Sequence, residues 1–310
     1  MVVSIPKLSL PTEQSIPDWN ARRRNNPDWL PELGGADFSK QKLREINLSL
    51  GFLRGANLSN VDFCMANFEE ANLDGADMRE CAMYTANLRQ ATLKECNLVQ
   101  ADLVEANLTG ADLSLALLQR ARIDRADLTD ACLYTTSLRQ ASLPNVVLIR
   151  ADMREVDLTM ADLCEADMRE ANMSFAICSL SKFVGATLCK ANLYRANLSL
   201  ANLCVANLMG ANLYKASLIG ANMIGANLYM SDMRFGNMAQ VDLREASLRI
   251  ANLTGANLTG ANLGMTNLTE ATLFRANLAG ANLYQANLHQ ANLDGANLTG
   301  ATMPDGSRHP

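Results

Sequence analysis

The sequence reads ANLYR over residues 191–195 and ANLSL over residues 196–200, and this five-residue pattern decides the fold. Each unit has a small residue, a polar residue, a leucine and then two variable positions. The middle residue recurs every fifth position from Phe38 to Met303, which makes 54 consecutive units in one unbroken frame. An internal repeat of this length has to be interpreted before any local pattern.

A period of five fits neither an α-helix nor a straight strand. Leucines five apart do not share one side of a helix with 3.6 residues per turn. On a straight strand they alternate between the two sides, because five is an odd number. Both difficulties disappear if each unit is a short extended segment followed by a corner. The small residue and the leucine, two apart, then both point inward, and the chain coils around its own leucines.

The inward positions have the composition of a filled tube. The middle residues are almost all Leu, Phe, Met or Ile, with Cys178 as the departure, and the small positions are mostly Ala. Gln41, Ile46 and Gly51 depart from the pattern at the N-terminal end. Large and small side chains that alternate inward fill a narrow tube without voids. Such a tube has no interior pocket.

The tandem A-(D/N)-L-x-x units resemble those of the pentapeptide repeat proteins, including cyanobacterial members. The resemblance covers about 270 of the 310 residues. It implies an all-β fold, the right-handed quadrilateral β-helix, in which four units make one coil. Residues 36–303 would then form about 13 coils. Residues 1–35 would form a lead-in and a helical cap, and residues 304–310 a C-terminal turn and tail.

The segment before the repeat contains a predicted cap for the open apolar end of the tube. Residues 17–26 can form a short helix that begins at Pro17 and ends before Asn26-Pro27. We assign Trp19, Trp29 and Leu33 to the cap, which also covers exposed strand edges. Residues 1–17 are interpreted as an extended lead-in, and residues 22–24, three arginines, as a solvated face.

Composition excludes several classes of protein. The net charge of −5 argues against a dedicated nucleic-acid binder, which should carry a basic stripe. No apolar run is long enough to cross a membrane, and no signal peptide is recognisable. The eight cysteines occupy repeat positions; three are predicted to point inward, Cys81, Cys96 and Cys178, and five outward. We interpret them as free thiols in a reducing cytoplasm.

The outward positions can be arranged in columns if residues twenty apart stack about 4.8 Å apart. One column combines aromatic side chains and arginines, as binding hot spots do: Tyr134, Arg154, Tyr194, Tyr214, Arg234 and Phe274. Two further columns are apolar and suggest a contiguous patch: Met160, Leu180 and Leu200, and Cys164, Val184, Cys204 and Ile224. The alternatives are a ladder that only stabilises the coil and individually exposed apolar residues.

The sequence contains little that indicates enzyme chemistry. His289 and His309 are its only histidines. No carboxylate pair, Cys-His pair or phosphate-binding loop stands outside the repeat pattern. We therefore predict a protein without catalytic residues, metal or cofactor.

Three functions remain open. The first is a rigid scaffold or regulator that binds a protein, or a second copy of itself, through an outward side. The second, implied by some members of the family, is a DNA mimic that inhibits a type II topoisomerase. Residues 36–185 are acidic enough to suggest it, with 22 Asp or Glu against 15 Lys or Arg. Interspersed arginines argue against it. The third function is a structural spacer.

Overall fold

The computed structural model describes residues 11–310, apart from the side chain of Glu13. A short 3₁₀ helix, Glu13–Ser15, leads into α1, Ile16–Asn25. The rest of the chain is a regular coil of short extended segments and turns. Each extended segment makes only isolated bridges, so residues 11–310 contain no longer strand.

The coil has four units per turn. Parallel bridges join each second-position residue to the residue twenty positions on, from Glu32↔Phe52 to Asn282↔Thr302. Each unit makes three hydrogen bonds between coils. In one unit the amide of Leu193 donates to the carbonyl of Asn212 at 2.7 Å, and the amide of Asn212 donates to Ala191 at 3.0 Å. Successive coils therefore satisfy one another's backbone groups, as sheet strands do.

The corner after each leucine is a four-residue turn. The amide of Ala196 donates to the carbonyl of Leu193 at 3.0 Å, and Arg195 between them has a φ of +55°. Every fifth-position residue from Gly35 to Gly300 is left-handed in this way, and 41 of these 54 residues are not glycine. The polar second residue closes the same corner, because Asn192 Oδ1 accepts a hydrogen bond from the amide of Tyr194 at 3.2 Å.

The core is one continuous column of small and large side chains. Almost all middle and small residues between Leu33 and Ala286 are buried, and Phe63 and Phe68 pack edge to face at 4.9 Å. Where a small position between residues 56 and 286 is Ser or Thr, its hydroxyl donates to a backbone carbonyl, of the previous coil for Thr136, Ser181 and Thr266 and of the same coil for Ser231. Thr136 Oγ1, for example, donates to Leu113 O at 2.8 Å. The predicted inward cysteines, Cys81, Cys96 and Cys178, are buried.

Helix α1 and the residues after it contact the N-terminal end of the coil. Trp19 is buried, and its indole N–H donates to the carbonyl of Asn47 at 2.8 Å. Trp29 packs edge to face on Trp19 at 5.0 Å. The Asn20 side chain accepts a hydrogen bond from the amide of Asn47 and donates to the carbonyl of Glu45. The cap therefore satisfies backbone groups of the first coil that no earlier coil can reach.

Three details of the N-terminal segment differ from the prediction. Arg23 is buried rather than solvated, because its guanidinium donates to the carbonyls of Trp29 and Ser49. Leu33 is the buried middle residue of a first unit, 31–35, so the coil begins one unit before residue 36. Residues 13–17 are helical rather than extended. The remainder of the predicted lead-in, residues 1–10, lies outside the described residues.

The C-terminal end forms the predicted turn. Asp305 Oδ1 accepts hydrogen bonds from the amide and hydroxyl of Ser307. The tail folds back so that Arg308 makes an antiparallel bridge to Thr302. Middle residues of this end are only partly buried: Leu288, Leu293, Leu298 and Met303.

Candidate interaction surface

A run of aromatic rings occupies one corner of the coil, which we call the aromatic turn column. It consists of the turn containing Tyr194 and its copies every twenty residues. The rings of Tyr194 and Tyr214 stack at 5.9 Å with 7° between their planes. Phe175 meets Tyr194 edge to face at 5.3 Å, and Phe235 meets Tyr214 in the same way at 5.7 Å. Four consecutive coils thus join one aromatic cluster.

Cations lie over these rings. The guanidinium of Arg195 lies 5.4 Å from the centroid of Tyr194 and 6.0 Å from that of Phe175. Lys215 and Arg234 each lie 5.3 Å from the centroid of Tyr214. These distances fall within the range of cation–π attraction, which favours extended, ordered side chains at a surface.

One coil exposes three apolar side chains, and we call residues 175–180 the apolar segment. Phe175, Ile177 and Leu180 are 46%, 44% and 50% exposed. Phe175 belongs to the aromatic turn column, Ile177 is the bridged residue after it, and Leu180 is in the next turn. The apolar segment therefore crosses one side of the coil from corner to corner.

The corner at Leu180 carries the first predicted apolar column, which we call the leucine turn column. Met160 and Leu200 lie one coil to either side of Leu180, and all three are exposed. Ile219 continues the exposed apolar column in the coil after Leu200. The aromatic and leucine turn columns, with the bridged residues between them from Ile177 onward, form the candidate interaction surface.

Other members of the predicted aromatic column lie apart from the cluster. Arg154 lies over the Tyr134 ring at 5.3 Å, two coils before Tyr194. Ser174, between Arg154 and Tyr194 in the column, is buried. At the other end, Arg275 lies 4.9 Å from the centroid of Phe274, three coils after Tyr214.

The second predicted apolar column lies on a different corner and is less exposed. Its members are half-buried: Cys164, Val184, Cys204 and Ile224. A polar side of the coil, which contains the Asp162–Lys182 ion pair at 3.2 Å, separates this column from the leucine turn column. Cys64, predicted to point outward, is buried between the larger Arg44 and Tyr84 of the neighbouring coils. Small fourth-position side chains are covered in this way by larger neighbours.

Sequence reasoning missed Phe175, Ile177 and Phe235. Each departs from the repeat pattern in a way that could have been recognised. Ile177 replaces the usual Asn or Asp of the second position, and the two phenylalanines occupy fifth positions, where a left-handed backbone favours glycine. An apolar residue at either position fills no core and closes no turn, so it indicates an exposed patch.

The candidate surface is distinctive in its charge. From Phe175 to Gly280 its two turn columns and the bridged residues between them contain no Asp or Glu. Arg195, Lys215 and Arg275 make no ion pair within residues 11–310. Arg234 does, with Asp232 at 2.6 Å.

Ion pairs hold twelve of the 22 carboxylates of residues 36–185. Arg154 contacts both oxygens of Asp152, and Arg169 does the same with Asp167. These hydrogen bonds hold the pKa of each carboxyl below its usual 3.8. Outward aspartates of residues 36–185 that have a Lys or Arg partner include Asp62, Asp102, Asp112, Asp152, Asp157, Asp162 and Asp167.

The thiols are placed for packing rather than for chemistry. Burial raises the pKa of Cys81 and of Cys96 to about 12, which keeps both protonated at neutral pH. All eight cysteines are free. Across residues 11–310, no group of three or more His, Cys, Asp or Glu side chains is arranged to hold a metal ion. Within the same range, no helix has the length and apolar character needed to cross a bilayer.

Bridges that repeat every twenty residues and turns that repeat every five define a tandem-repeat solenoid. The profile of the family described as Pentapeptide repeats matches eight segments of the chain: 53–90, 83–120, 96–134, 131–169, 166–204, 206–244, 237–273 and 271–304. This protein therefore belongs to the pentapeptide repeat family, as the sequence resemblance predicted.

Solved structures of the family show the same relationship. HetL, a pentapeptide repeat protein involved in heterocyst differentiation regulation in the cyanobacterium Nostoc sp. strain PCC 7120, is 31% identical over 94% of this chain and 98% of its own, with a TM-score of 0.24. A pentapeptide repeat protein from the Arabidopsis thaliana thylakoid lumen is 30% identical over 33% of this chain and 67% of its own, with a TM-score of 0.19.

A more distant similarity is to trypsin-treated QnrB1, a plasmid-mediated fluoroquinolone resistance protein. It is 22% identical over 61% of this chain and 81% of its own, with a TM-score of 0.36. The family assignment rests on the match to the family profile and on sequence identity to HetL, not on the TM-scores. A search of curated proteins gave no significant match.

Proposed function

We propose that this protein is a non-enzymatic scaffold that binds another protein through the candidate interaction surface. The apolar segment is the observation that carries this proposal. Phe175, Ile177 and Leu180 are exposed together on one coil, although the tube packs without them. Contiguous apolar surface of this kind marks interaction sites on soluble proteins, and aromatic residues with arginine dominate binding energy.

The framework of the proposal is a right-handed quadrilateral β-helix. The pairing of each residue with the one twenty positions on supports four units per coil, and the repeated turns supply the four corners. Such a framework is stiff, because every coil is hydrogen-bonded to the next along its whole length. A stiff framework holds the aromatic and leucine turn columns in fixed register, which reduces the entropy lost on binding.

The location that we propose is the cytoplasm. Eight free thiols, several of them deeply buried, support a reducing compartment.

The DNA-mimic alternative has weaker support. A mimic needs unpaired outward carboxylates, whereas the aspartates of this chain are mostly held by Arg or Lys, as Asp152 is by Arg154 at 2.6 Å. The ion pairs interrupt the array of free negative charge that a mimic would present. A structural spacer would need no exposed apolar segment.

The test compares the wild type with a double variant that restores the repeat pattern, Ile177→Asn with Leu180→Gly. Asn at position 177 can close the turn as Asn192 does, and Gly suits the left-handed backbone of Leu180, so we expect the fold to persist. The matched control makes the same types of substitution at another exposed apolar pair, Phe52→Asn with Leu50→Gly, which lies outside both turn columns.

The readout is protein recovered by the tethered chain from extract of cells that contain it. We expect the variant at 177 and 180 to lose at least about tenfold of the specifically bound partner, as removal of a hot spot does. The control should bind like the wild type. Equal recovery by all three proteins would overturn the proposal.

Light scattering separates self-association from binding of another protein. We expect the wild type and Leu180→Glu to have the same monomeric mass. A wild-type dimer that Leu180→Glu dissociates would instead make the surface a contact between two copies of this chain.

A further inference from the structure

We infer that the candidate interaction surface receives an extended, acidic segment of its partner, with the carboxylates on the aromatic turn column and apolar side chains on the apolar segment. This inference rests on the proposed function and adds the chemistry of the partner.

The first argument is charge complementarity. Fourteen Lys and Arg side chains in the described chain form ion pairs with its own carboxylates. Arg195, Lys215 and Arg275 form none within residues 11–310, and the surface around them contains no Asp or Glu from Phe175 to Gly280. Asp232, paired with Arg234, and Asp294, in the turn one coil after Arg275, are the carboxylates at the border of this surface. An acidic ligand would therefore meet three cations that no carboxylate of residues 11–310 holds in an ion pair.

The second argument is that the rings hold these cations in place. Arg195 lies over Tyr194 and Phe175, Lys215 lies over Tyr214, and Arg275 lies over Phe274. A cation fixed on a ring face keeps free N–H groups directed toward solvent. Less side-chain entropy is then lost when those groups bind a carboxylate.

The third argument is spacing. Successive coils are about 4.8 Å apart, so Arg195 and Lys215 differ by one coil. Arg275 lies four coils from Arg195, about 19 Å along the axis. An extended peptide rises about 3.3 Å per residue. A segment of about seven residues can therefore place one carboxylate near Arg195 and Lys215 and another near Arg275.

The fourth argument separates a peptide from a nucleic-acid strand, the other ligand of aromatic and basic surfaces. Bases need open ring faces on which to stack. Here the rings of Tyr194 and Tyr214 already stack on each other, and each also has an arginine within 5.4 Å of its centroid. The chain is also acidic overall, with a net charge of −5. A protein carboxylate fits this arrangement better than a stacked base.

The experiment selects binders from a phage library of random dodecapeptides on the folded wild-type protein. The selected peptides are then titrated against three variants. The charge variant is Arg195→Gln, Lys215→Gln and Arg275→Gln. Its matched control removes the same charge outside both turn columns, Arg24→Gln, Lys42→Gln and Lys190→Gln. The apolar variant is Ile177→Asn with Leu180→Gly. Fluorescent oligothymidylate is titrated in parallel, and circular dichroism checks that every variant is folded.

We expect selected peptides to be enriched in Asp and Glu together with Leu, Ile or Phe. Their affinity should fall at least about tenfold in the charge variant, remain unchanged in its control, and weaken with added salt. Selection without acidic enrichment, equal binding by the charge variant, or no selected binder at all would overturn the inference. So would tighter binding of oligothymidylate with the same dependence on the three cations.

The two proposals can fail separately. If peptides lose affinity for the apolar variant but not for the charge variant, the proposed scaffold surface is supported and the inference of an acidic partner is wrong. If peptides lose affinity for the charge variant but not for the apolar variant, the basic residues of the aromatic turn column bind the peptide and the apolar segment is not part of the site.

Discussion

The two halves of the coil share one interior and differ in the chemistry of their outer side. Residues 36–185 contain twelve of the fifteen ion pairs found in residues 11–310, and residues 186–303 contain three. In the C-terminal half asparagines replace most of these charges. Asn212 Nδ2 donates to Asn192 Oδ1 at 2.9 Å, and Asn227 Nδ2 donates to Asn207 Oδ1 at 3.1 Å.

The two halves show that the second residue of each unit has to close the turn, and that Asp and Asn both do so. The choice between them changes only the charge and the hydrogen bonds on the outer side of the coil. Asp152 and Asn192 each accept a hydrogen bond from the amide two residues on, at 3.3 and 3.2 Å, so either residue closes the turn. Their remaining polar atoms differ: the aspartate binds an arginine, and the asparagine binds its copies in neighbouring coils. The uncharged ladders leave Arg195 and Lys215 without an ion-pair partner, and this is the feature on which the proposed binding surface depends.

The largest expected effect should be the same in both halves. Leu198→Asp and Leu98→Asp each place an unpaired carboxylate in the tube, where the native side chains are almost fully buried. We expect each substitution to cost about 3–5 kcal/mol of unfolding free energy. Denaturant unfolding measures this cost. A small change for Leu198→Asp with a large one for Leu98→Asp would show that the interiors are not equivalent.

Acid should destabilise the N-terminal half of the coil more than the C-terminal half. Hydrogen bonds from Arg154 and Arg169 lower the pKa of Asp152 and Asp167, so the stability they add is present above the unfolded pKa of about 3.9 and is lost as pH falls through the lower folded values. Between pH 5 and 2.5, about the window in which such carboxylates protonate, we expect residues 36–185 to lose more hydrogen-exchange protection than residues 186–303. Equal losses would contradict the comparison. Concentrated salt at pH 7 should produce a weaker version of the same asymmetry.

Single substitutions at the second position should further distinguish the ion pairs of the N-terminal half from the asparagine ladders of the C-terminal half. Asp152→Asn keeps the turn and removes one partly exposed ion pair, so we expect a change below about 1 kcal/mol. Asn192→Ala removes the turn bond together with the amide bonds to Asn172 and Asn212, and should cost about 1–2 kcal/mol. Thermal unfolding of the two variants in parallel is the measurement. A larger loss for Asp152→Asn would mean that ion pairs, not ladders, dominate.

The smallest expected effect concerns left-handed corners. Ile250 has a φ of +60° and a β-branched side chain, a combination that costs energy. Thr85, with a φ of +53°, has a hydroxyl that donates to the carbonyl of Tyr84 at 2.8 Å. We expect Ile250→Gly to raise the unfolding free energy by about 0.5–1 kcal/mol, and Thr85→Gly to raise it less. Destabilisation by Ile250→Gly would show that its exposed side chain packs usefully.

Much of this architecture could be predicted from the repeat alone. The five-residue frame predicted inward leucines and a corner after each of them, because a periodic sequence gives every unit the same environment. The burial of Arg23 could not be predicted, since it depends on carbonyls of Trp29 and of Ser49 in the first coils. Cys64 likewise required knowledge of its neighbours twenty residues away.

Part of the candidate interaction surface could also be predicted from the sequence, and part of it could not. Tyr194, Tyr214 and Arg234 could be aligned from spacing, because four units per coil stack residues twenty apart. The sequence alone joined the leucine column to the half-buried cysteine column. The structure instead joins it to the aromatic column through Phe175 and Ile177. Side-chain reach across a corner, and therefore which columns share a surface, depends on packing rather than on period.

The sequence by itself determined the coil, since only a chain that turns after every leucine can point a residue inward at each fifth position. The tertiary structure decided which outward side chains meet. Exposure, ring stacking and the pairing of charges arise between residues twenty apart in the chain, and they depend on the size and charge of both members of each pair.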